Sequence, residues 1–440
     1  MLFGIVLRKR GEQMRALKTM LVAVCCLFVL LAHAAAQSLP TAAPQELGFS
    51  PERLARISSW LRDDIAKGTI PGAVLMIVRH GKVAHFEAAG SLDPDTKAPM
   101  TKDAIFRIYS MTKPIVSIAV MMLVEQGRIK LEDPVAKYIP AFKDMKVGVE
   151  KSVDGKPQLE LVAARRPITI QDLLRHSSGL TYGFFGDLMV KKLYLEADLR
   201  GDYDNAEFAD RLAKLPLAFQ PGTTWDYSHS TDVLGRVVEV VSGKSLFQSL
   251  KDTILDPIGM PDTSFTVADA AKQARIAEPF KTDRRIGADV EFNDPRLARK
   301  SEGGGGGMVG TVNDYARFLM MLRNGGTLDG KRYLAPKTVA YMTSDHNGTG
   351  VVPGPYYLPG PGYGFGLGFA VRKDTGVATT PGSAGDYNWG GAGGTYFWVD
   401  PKEDMFVVFA MQAPSQRVHY RQVLRAMVYG AIEKPRVAAD

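Results

Sequence analysis

Cysteine is nearly absent from this chain, and its absence removes several kinds of chemistry. The two cysteines, Cys25 and Cys26, lie in an N-terminal stretch that has the features of a cleavable leader. The chain that remains after cleavage would hold no disulfide, no thiolate metal site and no cysteine nucleophile. The seven histidines show none of the spacings that metal ligands adopt, so we expect no metal site either.

Blocks of like charge are also missing. The formal net charge is +7, but residues 1–36 carry five basic residues and one acidic residue. Their removal would leave 49 basic against 46 acidic residues, so the mature chain is close to neutral. Because the chain has neither a basic helix nor a basic run, we expect no nucleic acid partner.

The first 36 residues predict a signal peptide. Basic residues precede an apolar stretch from Met20 to Ala32, and small residues follow as far as Ala36. The apolar stretch is short for a membrane span. We expect cleavage near Ala36, a periplasmic or secreted protein, and no stable membrane partner. An uncleaved anchor is the alternative, and Met14 is an alternative start.

The G-x-S-x-G motif of α/β-hydrolases is absent, but one serine has a suggestive neighbour. Ser110 precedes Lys113 by three residues, next to an apolar run from Ile115 to Leu123 that predicts a buried helix. Pro114 fits the first turn of that helix. Helical spacing would bring the Lys113 amine within reach of the Ser110 hydroxyl and could activate it. Taken alone, the pattern is also that of a helix cap followed by a solvated lysine.

Strand patterns lie near the two ends of the chain, with helical patterns between them. A hairpin is predicted from Gly72 to Ala89, and strands recur between Gly364 and Ala410. We predict an α+β fold in which residues 37–130 and 301–440 form one antiparallel sheet flanked by helices. The first and last helices would cover the same face. Residues 131–300 would form a mainly helical inserted domain, with the active site between the two domains.

Five glycines follow one another in a single run, Gly303–Gly307. This run lacks the preceding strand and the following lysine of a phosphate-binding loop. We interpret it as close backbone packing or a flexible turn. Residues 344–362 are rich in glycine, proline and tyrosine, and residues 183–210 contain glycine and tyrosine. We hypothesise that these two segments cover the active site.

Three motifs follow one another in the order found in serine β-lactamases and penicillin-recognising hydrolases. They are Ser110-Met111-Thr112-Lys113, Tyr227-Ser228-His229 and Trp389-Gly390-Gly391. Over roughly residues 45–432, the chain resembles the class C β-lactamase-related carboxylesterases, also called family VIII esterases. The flanking phrases Leu173–Leu180 and Phe219–Gly222 fit the same family.

The resemblance implies an acyl-enzyme mechanism. Ser110 would attack a carbonyl carbon, while Lys113 and Tyr227 would share the proton transfers, the Lys113 ammonium favouring the Tyr227 phenolate. The backbone N–H groups of Ser110 and Ala392 would form the oxyanion hole. No cofactor is expected. The candidate substrate-binding residues are Tyr109, His229, Trp389, Gly390 and Gly391.

Two departures from the β-lactamase motifs bear on the substrate. Trp389 stands where β-lactamases carry a lysine or histidine that helps to hold the drug's carboxylate, and an indole offers no charge. His229 stands where the second motif usually has asparagine. We therefore expect hydrolysis of uncharged short-acyl esters to be the reaction. His176, which precedes the second motif, is expected to be structural.

Several alternatives remain open. The same residues could serve a β-lactamase, a D-amino-acid peptidase, an amide hydrolase or an acyltransferase. A penicillin-binding-like module that is acylated without turnover would also carry them, and a burst of acylation without turnover would identify it. The expected partner is in each case a small-molecule ester or amide, and no oligomeric state is predicted.

Overall fold

A computed structural model describes residues 38–283 and 285–435. The predicted signal peptide, residues 1–36, and both cysteines lie outside the described residues. The described residues from Leu39 onwards group into one compact unit, and the division into a sheet domain and a helical domain stays a prediction. None of the described helices has both the length and the apolar character needed to cross a bilayer.

Strands from both ends of the chain meet in one sheet. Numbered along the chain, the strands are β1 Gly72–Arg79, β2 Lys82–Asp93, β3 Ala98–Pro99, β4 Phe106–Arg107, β5 Lys146–Val153, β6 Lys156–Ala163, β7 Thr224–Trp225, β8 Thr282–Asp283, β9 Ala288–Asp289, β10 Val309–Gly310, β11 Thr327–Leu328, β12 Lys331–Arg332, β13 Val352–Pro353, β14 Tyr363–Phe365, β15 Ala370–Arg372, β16 Tyr387–Gly390, β17 Tyr396–Asp400 and β18 Met405–Met411. Eight of them form an antiparallel sheet in the order β14-β15-β16-β17-β18-β1-β2-β3. The predicted α+β fold is confirmed.

Helices flank this sheet and fill the middle of the chain. In chain order they are α1 Pro51–Ala66, α2 Thr112–Glu125, α3 Ile170–Leu174, α4 Met189–Glu196, α5 Asn205–Leu212, α6 Ser230–Ser242, α7 Leu246–Leu250, α8 Asp256–Ile258, α9 Ala270–Gln273, α10 Val312–Arg323, α11 Pro336–Met342 and α12 Arg417–Gly430. The Ser50 side chain accepts a hydrogen bond from the Arg53 N–H and caps α1.

Both faces of the sheet are covered, so β1 is buried along its whole length. Alternate residues of β1 point to opposite faces. On one face, Leu75 packs in a cluster with Leu54 of α1 and Leu424 of α12, which confirms that the first and last helices share a face. On the other face, Met76 belongs to the cluster that contains α2 and α10.

β5 and β6 form a hairpin in the region where short helices and loops were expected. Its turn is Asp154-Gly155, and both residues have positive φ angles, 52° and 74°. An Asp-Gly pair is a favoured two-residue hairpin turn. The strands are difficult to recognise in the sequence because most of their residues are exposed, so the alternation of a half-buried strand is missing.

Candidate active site

Ser110 lies in a tight turn at the start of α2. Residues Tyr109–Met111 form a 3₁₀ turn that leads directly into this helix. Tyr109 has a φ of 45°, a left-handed conformation that is rare for a bulky residue. Strained residues of this kind cluster at functional sites, where the surrounding structure holds them. The turn leaves Ser110 half-buried, whereas the first turns of α2 behind it are fully buried.

Lys113 lies beneath Ser110, with only 1% of its surface exposed. Its Nζ is 3.5 Å from the Ser110 Oγ, 3.1 Å from the Tyr182 Oη and 2.6 Å from the Gly305 carbonyl oxygen. The structure thus brings the Ser110 hydroxyl and the Lys113 amine together, as the spacing predicts. An amine in this position can take part in the activation of the hydroxyl.

The glycine run Gly303–Gly307 packs closely against the start of α6. A Cβ atom on Gly304 would lie 2.6 Å from the Thr231 carbonyl oxygen, and one on Gly305 would lie 2.5 Å from the Asp232 Oδ2. A side chain would clash at these two positions, so close packing accounts for Gly304 and Gly305, whereas a Cβ atom on Gly303 or Gly306 would have no neighbour nearer than 3.5 Å. This approach lets the Gly305 carbonyl accept the hydrogen bond from Lys113.

Tyr227 and Trp389 contact each other beside Lys113. The Trp389 Nε1–H donates to the Tyr227 Oη at 3.2 Å, and the two ring centroids are 5.3 Å apart. The Tyr227 hydroxyl can therefore direct its own proton to another partner. The Lys113 Nζ lies over the Tyr227 ring, 4.5 Å from its centroid, in a cation–π contact. Stabilisation of a Tyr227 phenolate by Lys113 stays a prediction.

The turn after β16 lies against the turn that holds Ser110. A Cβ atom on Gly391 would lie 2.3 Å from the Thr395 Oγ1 and 2.4 Å from the Ile108 carbonyl oxygen. The Thr395 hydroxyl donates to that same carbonyl at 3.2 Å and ties the two segments together. Ala392, the next residue, is exposed. The backbone segments that contain Ser110 and Ala392 are therefore neighbours, as an oxyanion hole made from both would require.

Tyr109 lies over this turn as well. A Cβ atom on Gly393 would lie 3.0 Å from the Tyr109 ring, which also packs against Phe292 with 5.3 Å between centroids. Burial raises the pKa of Tyr109 to about 12, although the nearby charge of Arg107 opposes the shift. Tyr109 therefore presents a neutral aromatic surface next to Ser110 at ordinary pH.

His229 lies at the start of α6, where it contacts Asp232 and Tyr182. Its Nδ1 is 3.1 Å from the Asp232 Oδ2, and its ring packs edge-on against the Tyr182 ring at 4.3 Å. Burial raises the pKa of Asp232, but the hydrogen bond and charge of His229 and the charge of Lys113 lower it more, so the net pKa is below the ordinary value. These contacts orient His229, and its predicted role in substrate binding stays a prediction.

His176 lies behind Tyr227, with 4.9 Å between their ring centroids. Its Nδ1 is 3.2 Å from the Ser228 Oγ. Burial, assisted by the charge of Lys113, lowers the pKa of His176 well below its usual value. A neutral, buried histidine fits the structural role expected for it. Among the described residues, no group of three or more His, Cys, Asp or Glu side chains could hold a metal ion.

Tyr182 is a residue of this site that the three motifs do not include. Its hydroxyl is 3.1 Å from the Lys113 Nζ, and its ring lies 5.3 Å from the Tyr227 ring. Burial raises the pKa of Tyr182 well above its usual value, so the hydroxyl stays neutral. A sequence signal exists, because Tyr182 follows the family-like phrase Leu173–Leu180 by two residues.

Aromatic side chains extend from Tyr227 towards solvent. The Phe185 ring lies 6.2 Å from the Tyr227 ring and 4.7 Å from the ring of Phe184, which is 56% exposed. From another part of the chain, Tyr356 comes within 6.3 Å of Phe185. The two segments hypothesised to cover the site therefore meet beside it and present an apolar surface.

A model of the β-lactamase family matches residues 57–428 of this chain. The chain belongs to the β-lactamase family. It is 36% identical over 366 residues to an uncharacterised protein of Mycobacterium tuberculosis. This match covers 80% of this chain and 88% of that protein. It is 34% identical over 367 residues to esterase EstB of Burkholderia gladioli. This match covers 79% of this chain and 87% of EstB.

The fold of this β-lactamase-family chain is also found in solved structures. EstCE1, described as a hydrolase with promiscuous acyltransferase activity, superimposes with a TM-score of 0.70 at 28% identity. The match covers 87% of this chain and 98% of EstCE1. Together with the family match and the likeness to EstB, this similarity identifies the chain as a serine hydrolase.

Proposed function

We propose that this serine hydrolase is a carboxylesterase for short-acyl esters and that Ser110 is its nucleophile. The observation that carries the proposal is the position of the buried Lys113 amine, 3.5 Å from the half-buried Ser110 hydroxyl. The esterase EstB and the hydrolase EstCE1 are similar over most of the chain, which supports ester hydrolysis as the reaction.

In the proposed mechanism, the Ser110 oxygen attacks the ester carbonyl while its proton passes to Lys113 or Tyr227. The backbone N–H groups of Ser110 and Ala392 stabilise the negative charge that develops on the carbonyl oxygen. Collapse of the tetrahedral intermediate releases the alcohol, which takes a proton from the same groups. Water then attacks the acyl-enzyme and releases the acid. The hydrogen bond from Trp389 holds the Tyr227 hydroxyl in place throughout.

The preference for uncharged esters rests on the third motif and on the aromatic surface. Trp389 contributes an indole whose N–H is already bonded to Tyr227, so this side chain supplies no cation for a substrate carboxylate. Phe184, Phe185 and Tyr356 offer apolar contacts to a small acyl or alcohol group. Acyl transfer to an alcohol other than water is a second candidate, favoured by the likeness to EstCE1.

The test is a paired turnover assay on the chain without residues 1–36, the proposed leader. A p-nitrophenyl butyrate ester and a chromogenic cephalosporin would be compared with wild type and Ser110→Ala. We expect the ester to be turned over much faster than the cephalosporin, and Ser110→Ala to lose about 10³-fold or more in kcat. Intact-mass measurement should show one added acyl group in wild type only.

Ser117→Ala is the matched control, because Ser117 lies on the same helix and is buried away from the turn. It should keep the turnover of wild type. Fast hydrolysis of the cephalosporin would favour a β-lactamase, and an acyl-enzyme that persists without turnover would favour a penicillin-binding-like module. Ester hydrolysis that survives in Ser110→Ala would contradict the mechanism. Ester products formed in the presence of added alcohols would support acyl transfer.

A further inference from the structure

Arg421 reaches from α12 to the backbone of the third motif. Its Nη2 donates to the Gly391 carbonyl oxygen at 2.9 Å and lies 3.4 Å from the Thr395 carbonyl oxygen. Its Nε is shielded from solvent and has no hydrogen-bond partner among the described residues. Burial lowers the pKa of Arg421 to about 10, which leaves the guanidinium charged at neutral pH. Arg421 is half-buried, and partial withdrawal of its charge from water is costly, so its position calls for a physical reason.

The third motif makes room for this guanidinium. A Cβ atom on Gly390 would lie 2.4 Å from the Arg421 Nη2 and 2.6 Å from its Cζ. Any other residue at position 390 would therefore displace Arg421 from the Gly391 carbonyl. Gly390 is accounted for by Arg421 together with the Thr395 carbonyl oxygen, which would lie 2.8 Å from a Cβ atom, and Gly391 is accounted for by Thr395 and Ile108. Both glycines of the motif thus serve the placement of one peptide unit.

That peptide unit joins Gly391 to Ala392. The described chain has no cis peptide bond, so the Gly391 carbonyl and the Ala392 N–H point in opposite directions across a planar unit. A donor that fixes the carbonyl therefore also fixes the direction of the N–H. The Gly394 N–H donates to the same carbonyl at 3.3 Å, which gives that oxygen two donors on one side. A cation on the carbonyl also polarises the amide and makes its N–H a stronger donor.

We propose that Arg421 is a positioning residue of the oxyanion hole, which aims and polarises the Ala392 N–H by binding the Gly391 carbonyl. The inference rests on the proposed function, because it takes the Ala392 N–H as a donor to the reacting oxygen. Arg421 acts through the peptide and need not touch the substrate. Arg421 should contribute mainly when negative charge develops on the substrate oxygen in the transition state. Its loss should therefore change kcat more than KM.

The test compares Arg421→Met and Arg421→Lys with Arg417→Met as a matched control. Arg417 lies one turn earlier on α12 and donates to the Pro414 carbonyl. Removal of a whole oxyanion-hole donor typically costs about 10²–10³ in kcat, so misdirecting one should cost about tenfold to a hundredfold. We expect that loss in Arg421→Met with little change in KM, a smaller loss in Arg421→Lys, and wild-type values in Arg417→Met.

A spectroscopic readout separates positioning from general destabilisation. An acyl-enzyme made with an isotope-labelled ester carbonyl should show its infrared carbonyl stretch at higher wavenumber in Arg421→Met, because the hydrogen bonds to that oxygen are weaker. An unchanged stretch together with an unchanged kcat would overturn the inference and leave the esterase proposal intact. If wild type formed no acyl-enzyme at all, both proposals would fall. If Arg421→Met does not fold, the same two measurements on Arg421→Lys decide the matter in the same way.

Discussion

At the scale of single residues, Trp389 has a contact that its place in the motif did not reveal. The sequence identifies it as an uncharged replacement for a β-lactamase cation, and hence as a candidate for substrate binding. In the structure, its N–H is engaged by the Tyr227 hydroxyl, and its ring packs against Tyr227 and Phe365. In the proposed mechanism, Trp389 would therefore act first by orienting the Tyr227 hydroxyl.

Replacement of Trp389 by phenylalanine should lower kcat about five- to tenfold, because one hydrogen bond of about 1 kcal/mol is lost while an aromatic ring is kept. The measurement is steady-state ester hydrolysis. Trp398→Phe is the control, since the Trp398 indole N–H is buried without a partner among the described residues. That variant should lose thermal stability but keep kcat. An equal fall in kcat for both variants would show that the Trp389 hydrogen bond is irrelevant.

Spacing alone identified only the local pair of site residues, whereas the distant Tyr227 and Trp389 were identified through the motifs of the resembling family. Ser110 and Lys113 are three residues apart, so helical geometry alone brings them together. Tyr182 contacts Lys113 from 69 positions away, and Arg421 contacts Gly391 from 30 positions away. Such pairs depend on how helices and strands pack, and no periodicity in the sequence encodes them.

At the scale of elements, a buried ion pair connects α4 to the strand that leads to Tyr227. The Lys191 Nζ lies 3.0 Å from the Asp226 Oδ1, and both side chains are at least 98% buried. The Thr181 hydroxyl donates to the other carboxylate oxygen of Asp226. This ion pair ties α4, in a segment hypothesised to cover the site, to the residue next to Tyr227, and both charged groups are shielded from solvent.

Lys191→Met should lower the free energy of unfolding by about 3–5 kcal/mol, because it leaves the Asp226 carboxylate buried without its cation. Denaturant titration measures the change. Lys192→Met, at the exposed neighbouring position, should be close to neutral. The double variant Lys191→Met with Asp226→Leu should recover most of the loss, since an apolar pair needs no charge partner. If the double variant recovers none of the lost free energy of unfolding, the loss in Lys191→Met comes from packing and not from the unpaired charge.

The elements themselves were predictable to different degrees. Apolar patterns predicted α2 and the strands near the two ends of the chain, because buried elements leave such patterns in the sequence. The β5–β6 hairpin escaped prediction because its exposed strands impose none. Its Asp154-Gly155 turn is the remaining local signal.

At the scale of the whole molecule, Asp314 links stability to pH. Its carboxylate is 1% exposed at the start of α10 and accepts hydrogen bonds from the Asp262 N–H and the Thr263 hydroxyl. Burial, with the charge of Asp262, raises the pKa of Asp314 to about 7 even though the Thr263 hydrogen bond opposes the shift. The folded protein therefore binds this proton more tightly than the unfolded chain does. The free energy of unfolding falls as the pH rises from the ordinary pKa of 3.8 towards about 7.

Asp314→Asn should make the melting temperature less sensitive to pH between about pH 5 and about pH 8. The amide keeps an oxygen for the two donors and never ionises, so the variant escapes the cost of burying a charge. Each unit of pKa difference corresponds to about 1.4 kcal/mol, so the gain relative to wild type at the higher pH should be several-fold above the error of a thermal melt. An equal pH dependence in the two proteins would contradict the raised pKa.

The order of strands in the sheet also determines when the molecule can be completed during synthesis. β1 pairs with β2 on one edge and with β18 on the other. A ribosome releases β1 and β2 long before β18, and α10 and α12, which cover the two faces, also follow late. A nascent chain therefore carries an apolar strand with an open edge, the state most prone to self-association. Raising the supply of a chaperone that holds unfolded chains should increase the yield of soluble enzyme and leave the rate constants of the finished enzyme unchanged.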